Sequence, residues 1–215
     1  MSEKMDRRQA RSKQLMREAL LSILEEKSIE GITVTDIANR ADINRGTFYL
    51  HYRDVADMLD QMKDEAFEQI RNRILQLNPK ELMVYADRNE PYPKITLIFE
   101  EVERQAGFFK VMFGPHGDVS YINRFKASME TQIFNNLSYA QPQEENRLVP
   151  LEFLISYMAS ANLGVVLHWL QSGMKQTPLE LSAIMTNLMN YGPLTSSGLR
   201  IETPKIESRK RSNHI

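Results

Sequence analysis

The stretch ITVTDIANRADINRGTFYLHYRDVADML, residues 32–59, decides the fold. Thr33 stands three residues before Asp36, the spacing at which each side chain can satisfy the other's orphan amide at a helix start. A short helix over 34–40 follows, with Ile37, Ala38 and Ala41 on its inner side. Asp42 and Ile43 make a tight connection, and Asn44 is a good cap for a second helix over 45–52. Asp54 and Asp57 repeat the cap spacing and open a long amphipathic helix. Its buried side is Val55, Met58, Leu59, Met62, Ala66, Ile70, Ile74 and Leu77, and it ends at Asn78–Pro79.

Upstream, Leu15, Met16, Ala19, Leu20, Ile23 and Leu24 recur at helical spacing, so one helix runs over about 7–27 until Gly31. Downstream, residues 87–93 (DRNEPYP) read as a loop. Ile95 to Phe99 is locally strand-like, but Glu100, Glu101, Glu103 and Arg104 restore a helical pattern. Gly107 and the Gly114–Pro115–His116–Gly117 turn break the chain again. Further helices are predicted over 119–139, 148–171 and 178–191, and beyond Pro193 the composition turns polar. With no convincing strand alternation, the fold class is all-α.

Composition narrows the function. Of 215 residues, 42% are hydrophobic, enough for a core. There is no cysteine, which removes disulfide scaffolds, thiolate metal sites and cysteine nucleophiles. The four histidines, His51, His116, His168 and His214, have no metal-ligand spacing, and no Gly-rich phosphate loop or nucleophile elbow occurs. Glu100 and Arg104 fall at i,i+4, so the acidic cluster around them reads as a solvated, paired face. Neither an enzyme nor a cofactor is expected. The net charge of −1 hides an asymmetry: residues 1–17 carry +4 and 199–215 carry +3, leaving −8 between them. Concentrated positive charge at the ends suits a polyanion.

Two short helices joined by a tight turn inside a three-helix cluster form a helix-turn-helix. In that arrangement the second helix enters a major groove by its N-terminal end. Phe48 lies one turn from Tyr52 and fills the small core with Ile37 and Ile43, while Arg45, Gly46, Thr47 and Tyr49 point the other way. Arg is the natural bidentate donor to guanine, Thr can meet a thymine methyl or a phosphate, and Gly allows close approach. Tyr49, His51, Thr33 and Thr35 can donate to phosphates.

Residues 32–59 also resemble the signature of TetR-family transcriptional regulators, with Asp36-Ile37-Ala38 and Gly46-Thr47-Phe48-Tyr49 at the family's separation. The resemblance implies phosphate contacts at Thr33 and Thr35, groove-facing residues at Arg45, Gly46, Thr47 and Tyr49, and a backbone contact at His51. The expected DNA-binding set is Thr33, Thr35, Asn44, Arg45, Gly46, Thr47, Tyr49, His51 and Arg53. Two positions depart from the family pattern. Asp42 stands where the family commonly has Gly, and Asp tolerates the left-handed conformation. Val55 stands where a phosphate-holding Lys is frequent, a loss the basic arm of Arg7, Arg8 and Arg11 could offset.

The C-terminal part is more loosely similar to the regulatory region of one TetR branch, through residues 105–113 (QAGFFKVMF), Gly117-Asp118 and residues 168–181 (HWLQSGMKQTPLEL). That similarity implies an effector pocket and homodimerisation through helices at about 148–171 and 178–191. Phe109, Met112, Phe113, Phe134, Met158 and Trp169, with Phe108 beside them, are expected to line the pocket. Residues 153–174 carry no formal charge and are long enough for a bilayer span. Their Ser156, Ser160, Asn162, His168, Gln171 and Ser172, and the small Ala159, Ala161 and Gly164, instead suit a helix packed against its own domain and a partner copy.

The expectation is therefore a soluble, cytoplasmic all-α homodimer. Its divisions are a DNA-binding domain at 1–56, a helical effector-binding and dimerisation domain at 57–195, and a disordered basic tail at 196–215. Its function is expected to be that of a TetR-like repressor, bound to a palindromic double-stranded operator and released by a small-molecule effector, with no metal and no membrane. The alternative is a TetR-like co-regulator whose C-terminal half docks a partner protein.

Overall fold

The computed structural model describes residues 2–27, 29, 31–114, 117–140 and 147–199. Among these, ten α-helices and no strand occur: α1 Ser2–Glu26, α2 Val34–Arg40, α3 Arg45–Tyr49, α4 Val55–Ile74, α5 Pro79–Asp87, α6 Pro93–Arg104, α7 Ala106–Met112, α8 Val119–Ala140, α9 Leu151–Gln171 and α10 Pro178–Ser196. Of the tail read as disordered over 196–215, Ser196 belongs instead to α10; residues 200–215, and Pro115–His116 of the turn, lie outside the described residues.

The helix starts are set by local chemistry. Thr33 Oγ1 accepts from the Asp36 amide at 3.2 Å while Asp36 accepts from the Thr33 amide at 2.9 Å, a reciprocal cap on α2. Asn44 Oδ1 accepts from Gly46 N at 2.8 Å, and Asp54 Oδ1 from Asp57 N at 2.8 Å. Thr177 and Glu180 repeat the reciprocal cap on α10. The α2–α3 turn closes by Ile43 N to Ala38 O at 3.0 Å and Asp42 N to Asn39 O at 3.3 Å, with Asp42 at φ 52°. This is the Schellman closure, which places one residue in the left-handed region.

Several boundaries differ from the sequence expectations. Helix α3 stops at Tyr49 rather than 52, with Leu50 as its C-cap. Helix α4 stops at Ile74, and Asn78–Pro79, read as a terminator, instead caps and opens α5: Asn78 Oδ1 accepts from Lys80 N at 2.9 Å. Pro suits the first helical position because that amide has no partner anyway. Gly107 lies inside α7 and breaks nothing; the break falls at Gln105 (φ −109°, ψ 20°), which carries neither Gly nor Pro. Gly117 does end a segment, since a Cβ there would lie 2.1 Å from the Met112 carbonyl oxygen. Helix α10 kinks at Gly192 (φ 65°) and resumes through Pro193 to Ser196, past the predicted end at 191.

One core runs through the molecule. The inner stripe of α1 (Met16, Leu20, Ile23) meets Ile37, Phe48 and Tyr52, all buried, and continues along α4 through Met58, Met62, Ala66 and Ile70. Phe67, absent from the sequence reading, is buried too, edge-on to Phe125 at 5.0 Å. Ion pairs tie α4 to its neighbours at both faces. Glu65 holds Lys13 at 2.6 Å and Arg17, and Lys63 holds Asp118 at 2.6 Å.

Candidate nucleic-acid interface and cavity

Burial divides α3 cleanly. Phe48 is fully buried and Tyr52 nearly so, and they fix which way the short helix faces. Arg45, Gly46 and Tyr49 are exposed, Thr47 is half-buried, and Tyr49 stands edge-on to Phe48 at 5.7 Å. At ~100° per residue, the side opposite the Phe48–Tyr52 edge is occupied by Gly46, Thr47 and Leu50. Leu50 is 77% exposed, a large apolar side chain at the centre of the outward face. The sequence reading missed it, although the angular position of Phe48 was sufficient to find it.

The remaining expected DNA contacts are placed as follows. Thr35 is exposed, and Thr33 is exposed but uses its hydroxyl in the α2 cap, donating to Asp36 at 2.9 Å. Asn44 likewise uses its carbonyl oxygen in the α3 cap. Arg53 projects into solvent and pairs with Asp57 at 2.9 Å. His51 is half-buried, with Nε2 3.0 Å from Ser12 Oγ of α1. Burial, and then the charge of Lys13, holds its pKa below the ordinary histidine value. The ring therefore joins α1 to the α3–α4 connection rather than projecting into solvent. Burial also pushes the Tyr52 hydroxyl up to about 12. Arg8 and Arg11 are exposed along α1.

A second feature lies among α4 to α10: a cavity of about 180 Å³ whose wall is almost wholly apolar. Of the expected pocket residues, Phe109, Phe113 and Met158 line it. Met112, Phe134 and Trp169 do not. Phe134 turns outward and is half exposed. Met112 is buried elsewhere in the core. Trp169 packs edge-on against Phe99 at 5.7 Å and donates Nε1–H to the Gln176 carbonyl at 2.9 Å, so its polar atom is satisfied outside the cavity. Phe108 likewise meets Phe109 and Tyr121 edge-on, off the wall. Lining residues that the sequence reading did not assign to the pocket include Ile95, Ile98, Met129, Asn162 and Met185.

Helix α9 is long and apolar enough to cross a membrane by length and composition. Ala159, Leu163, Trp169 and Leu170 bury one side of it within the molecule. The other side exposes Phe153 (69%) and Tyr157 (55%), then Ser160, Ala161, Gly164 and His168, at steps of three and four.

Two family models match. Residues 17–62 match the N-terminal region of bacterial regulatory proteins of the tetR family, and residues 89–191 match a transcriptional regulator C-terminal region of the same family. Together they take in more than two thirds of the chain. A curated relative, the uncharacterized HTH-type transcriptional regulator YxbF of Bacillus subtilis (strain 168), is 27% identical over 188 residues. The alignment takes in 81% of this chain and only 44% of that relative's length. Among solved structures, a putative fatty acid metabolism regulator of Clostridium perfringens aligns with TM-score 0.59 and 16% identity, covering 83% of this chain and 98% of its own. A TetR transcriptional regulator from Streptococcus agalactiae 2603V aligns with TM-score 0.54 and 19% identity, covering 87% and 98%. At these identities the solved structures speak to the fold, and the family models speak to membership. The chain belongs to the TetR family, whose members are DNA-binding transcriptional regulators rather than enzymes.

Proposed function

We propose that this chain is a repressor that binds a palindromic operator as a homodimer and is released by a small-molecule effector. Residues 1–56 form the DNA reader and 57–195 the sensing and dimerising part, in a soluble cytoplasmic protein. The observation that carries the reading is the outward side of α3, where Gly46, Thr47 and Leu50 face away from a buried Phe48 and the exposed Arg45 and Tyr49 flank them. Arg45 takes a guanine O6/N7 edge, Gly46 lets the helix approach, and Leu50 meets a thymine methyl. Thr35, Tyr49, Arg53 and the Thr33 and Asn44 caps hold flanking phosphates, while His51 positions the segment through Ser12.

The exposed stripe on α9, with Leu179 and Ile184 on α10, supports dimerisation through these two helices. Burying one such aromatic is worth roughly 1.5–3 kcal/mol, and the small Ala161 and Gly164 let two helices come close. A two-fold dimer presents two copies of α3 to successive major grooves. The cavity favours a small-molecule effector over a docked protein partner. Release then follows as a population shift: the effector prefers a dimer whose readers are spaced wrongly for DNA. Selection of bound duplexes from a random pool tests the reading. It expects an inverted repeat whose half-sites lie about one helical turn apart. Enrichment of a single asymmetric site, or of nothing, refutes it.

A further inference from the structure

Resting on the effector reading above, we propose that the cavity is a receptor for an uncharged apolar molecule bearing one hydrogen-bonding group, and that Asn162 receives that group. None of the described residues lining the cavity carries a formal charge. All but one of its polar side chains have at least one group engaged. Asn78 Oδ1 accepts from Lys80 N at 2.9 Å and Glu81 N at 3.3 Å. The Tyr92 hydroxyl donates to Glu81 at 2.8 Å and accepts from Asn78 N at 3.2 Å. Gln132 donates to Asn136 Oδ1 at 3.1 Å. Asn162 of α9 remains: it lines the cavity, and among these polar residues its side chain alone makes no hydrogen bond to another described residue.

That inventory selects a ligand by charge. An ion entering this wall gives up its water with no countercharge to replace it, a desolvation cost that nothing in the lining offsets. A neutral carbonyl, amide or hydroxyl gives up far less and recovers it from an amide that can both donate and accept. Size follows from volume. A cavity of about 150 Å³ accommodates benzene, so about 180 Å³ takes a slightly larger body. Met129, Met158, Met185 and Met189 on three helices let the wall adapt to shape, which fixes polarity more tightly than outline.

The test is calorimetric titration of the full chain, without DNA, by octanol, octanamide, octanoate, octylammonium and benzene, followed by operator binding measured with and without octanol. Octanol and octanamide are expected to bind one per chain, with octanoate and octylammonium at least about 100-fold weaker at neutral pH. Octanoate should tighten about tenfold per pH unit on acidification towards its own carboxyl pKa, while octanol stays level. Asn162→Leu should weaken octanamide roughly fivefold and leave benzene unchanged, and Asn162→Ser, which keeps a polar group, should retain octanamide. Charged probes that match octanol, loss of octanamide and benzene alike in Asn162→Leu, or no binding by any probe overturns the proposal. Octanol that binds yet leaves operator affinity unchanged supports the neutral receptor and refutes release.

Discussion

Asp42 gives the sharpest test of how the reader is built. It holds φ 52° in the α2–α3 turn, is exposed, and its side chain bonds to no other described residue. Its contribution to the turn is therefore conformational. A Cβ in the left-handed region costs roughly 1–2 kcal/mol, and Asp sits at the low end because a short polar side chain tolerates the region. Asp42→Ala should accordingly lose about 0.5–1 kcal/mol of unfolding free energy. Asp42→Val adds β-branching to the same strain and should lose about 1–2 kcal/mol. Asp42→Gly removes the strain but adds about 0.5–1 kcal/mol of unfolded-chain entropy, so it should fall within about 0.5 kcal/mol of the parent. Urea unfolding at one fixed protein concentration reads the series, since association shifts apparent stability. Equal stability of all four proteins would refute a left-handed residue at 42, and with it the Ile43–Ala38 closure that sets the angle of α3.

Three more outcomes are expected. Deleting residues 1–11 removes Arg7, Arg8 and Arg11 and should lower the salt slope of DNA binding; an unchanged slope means the arm touches no phosphate. The Lys63 hydrogen bond, then that of Ser120, holds the Asp118 carboxyl far below its ordinary pKa. That stability is present above the unfolded value of about 4 and is lost as pH falls below it. Lys63→Met should therefore destabilise at pH 7, by a margin that narrows on acidification; a margin independent of pH refutes the pair's role. Finally, replacing thymines of a selected operator one at a time by deoxyuridine should weaken binding at one position per half-site, and Leu50→Ala should abolish that sensitivity; sensitivity retained in the variant removes Leu50 from the bases.

Legibility in the sequence tracked locality. The α2 cap, the Asn44 and Asp54 caps and the buried Phe48 depend on residues within one or two turns, and all are found as the spacing predicts. Asn78–Pro79 was ambiguous because the same pair that forbids continuing one helix is ideal for opening the next. The α6–α7 break was silent because Gln105 leaves helical geometry without a glycine or proline. The cavity was only half legible. Phe109, Phe113 and Met158 point into it, yet nothing local distinguishes them from Met112, Phe134 and Trp169, whose directions are set by how α7, α8 and α9 pack. His51 shows the same limit, since its partner Ser12 lies on another helix.

The central claim is that the face carrying Arg45 reads bases. Repeating operator selection with Arg45→Ala measures it directly. The account predicts that a guanine preference disappears at one symmetric pair of positions, with affinity for the parental site falling by about 1–3 kcal/mol and the fold intact. An unchanged consensus, with binding weakened equally on every sequence, would place Arg45 on phosphate and contradict it.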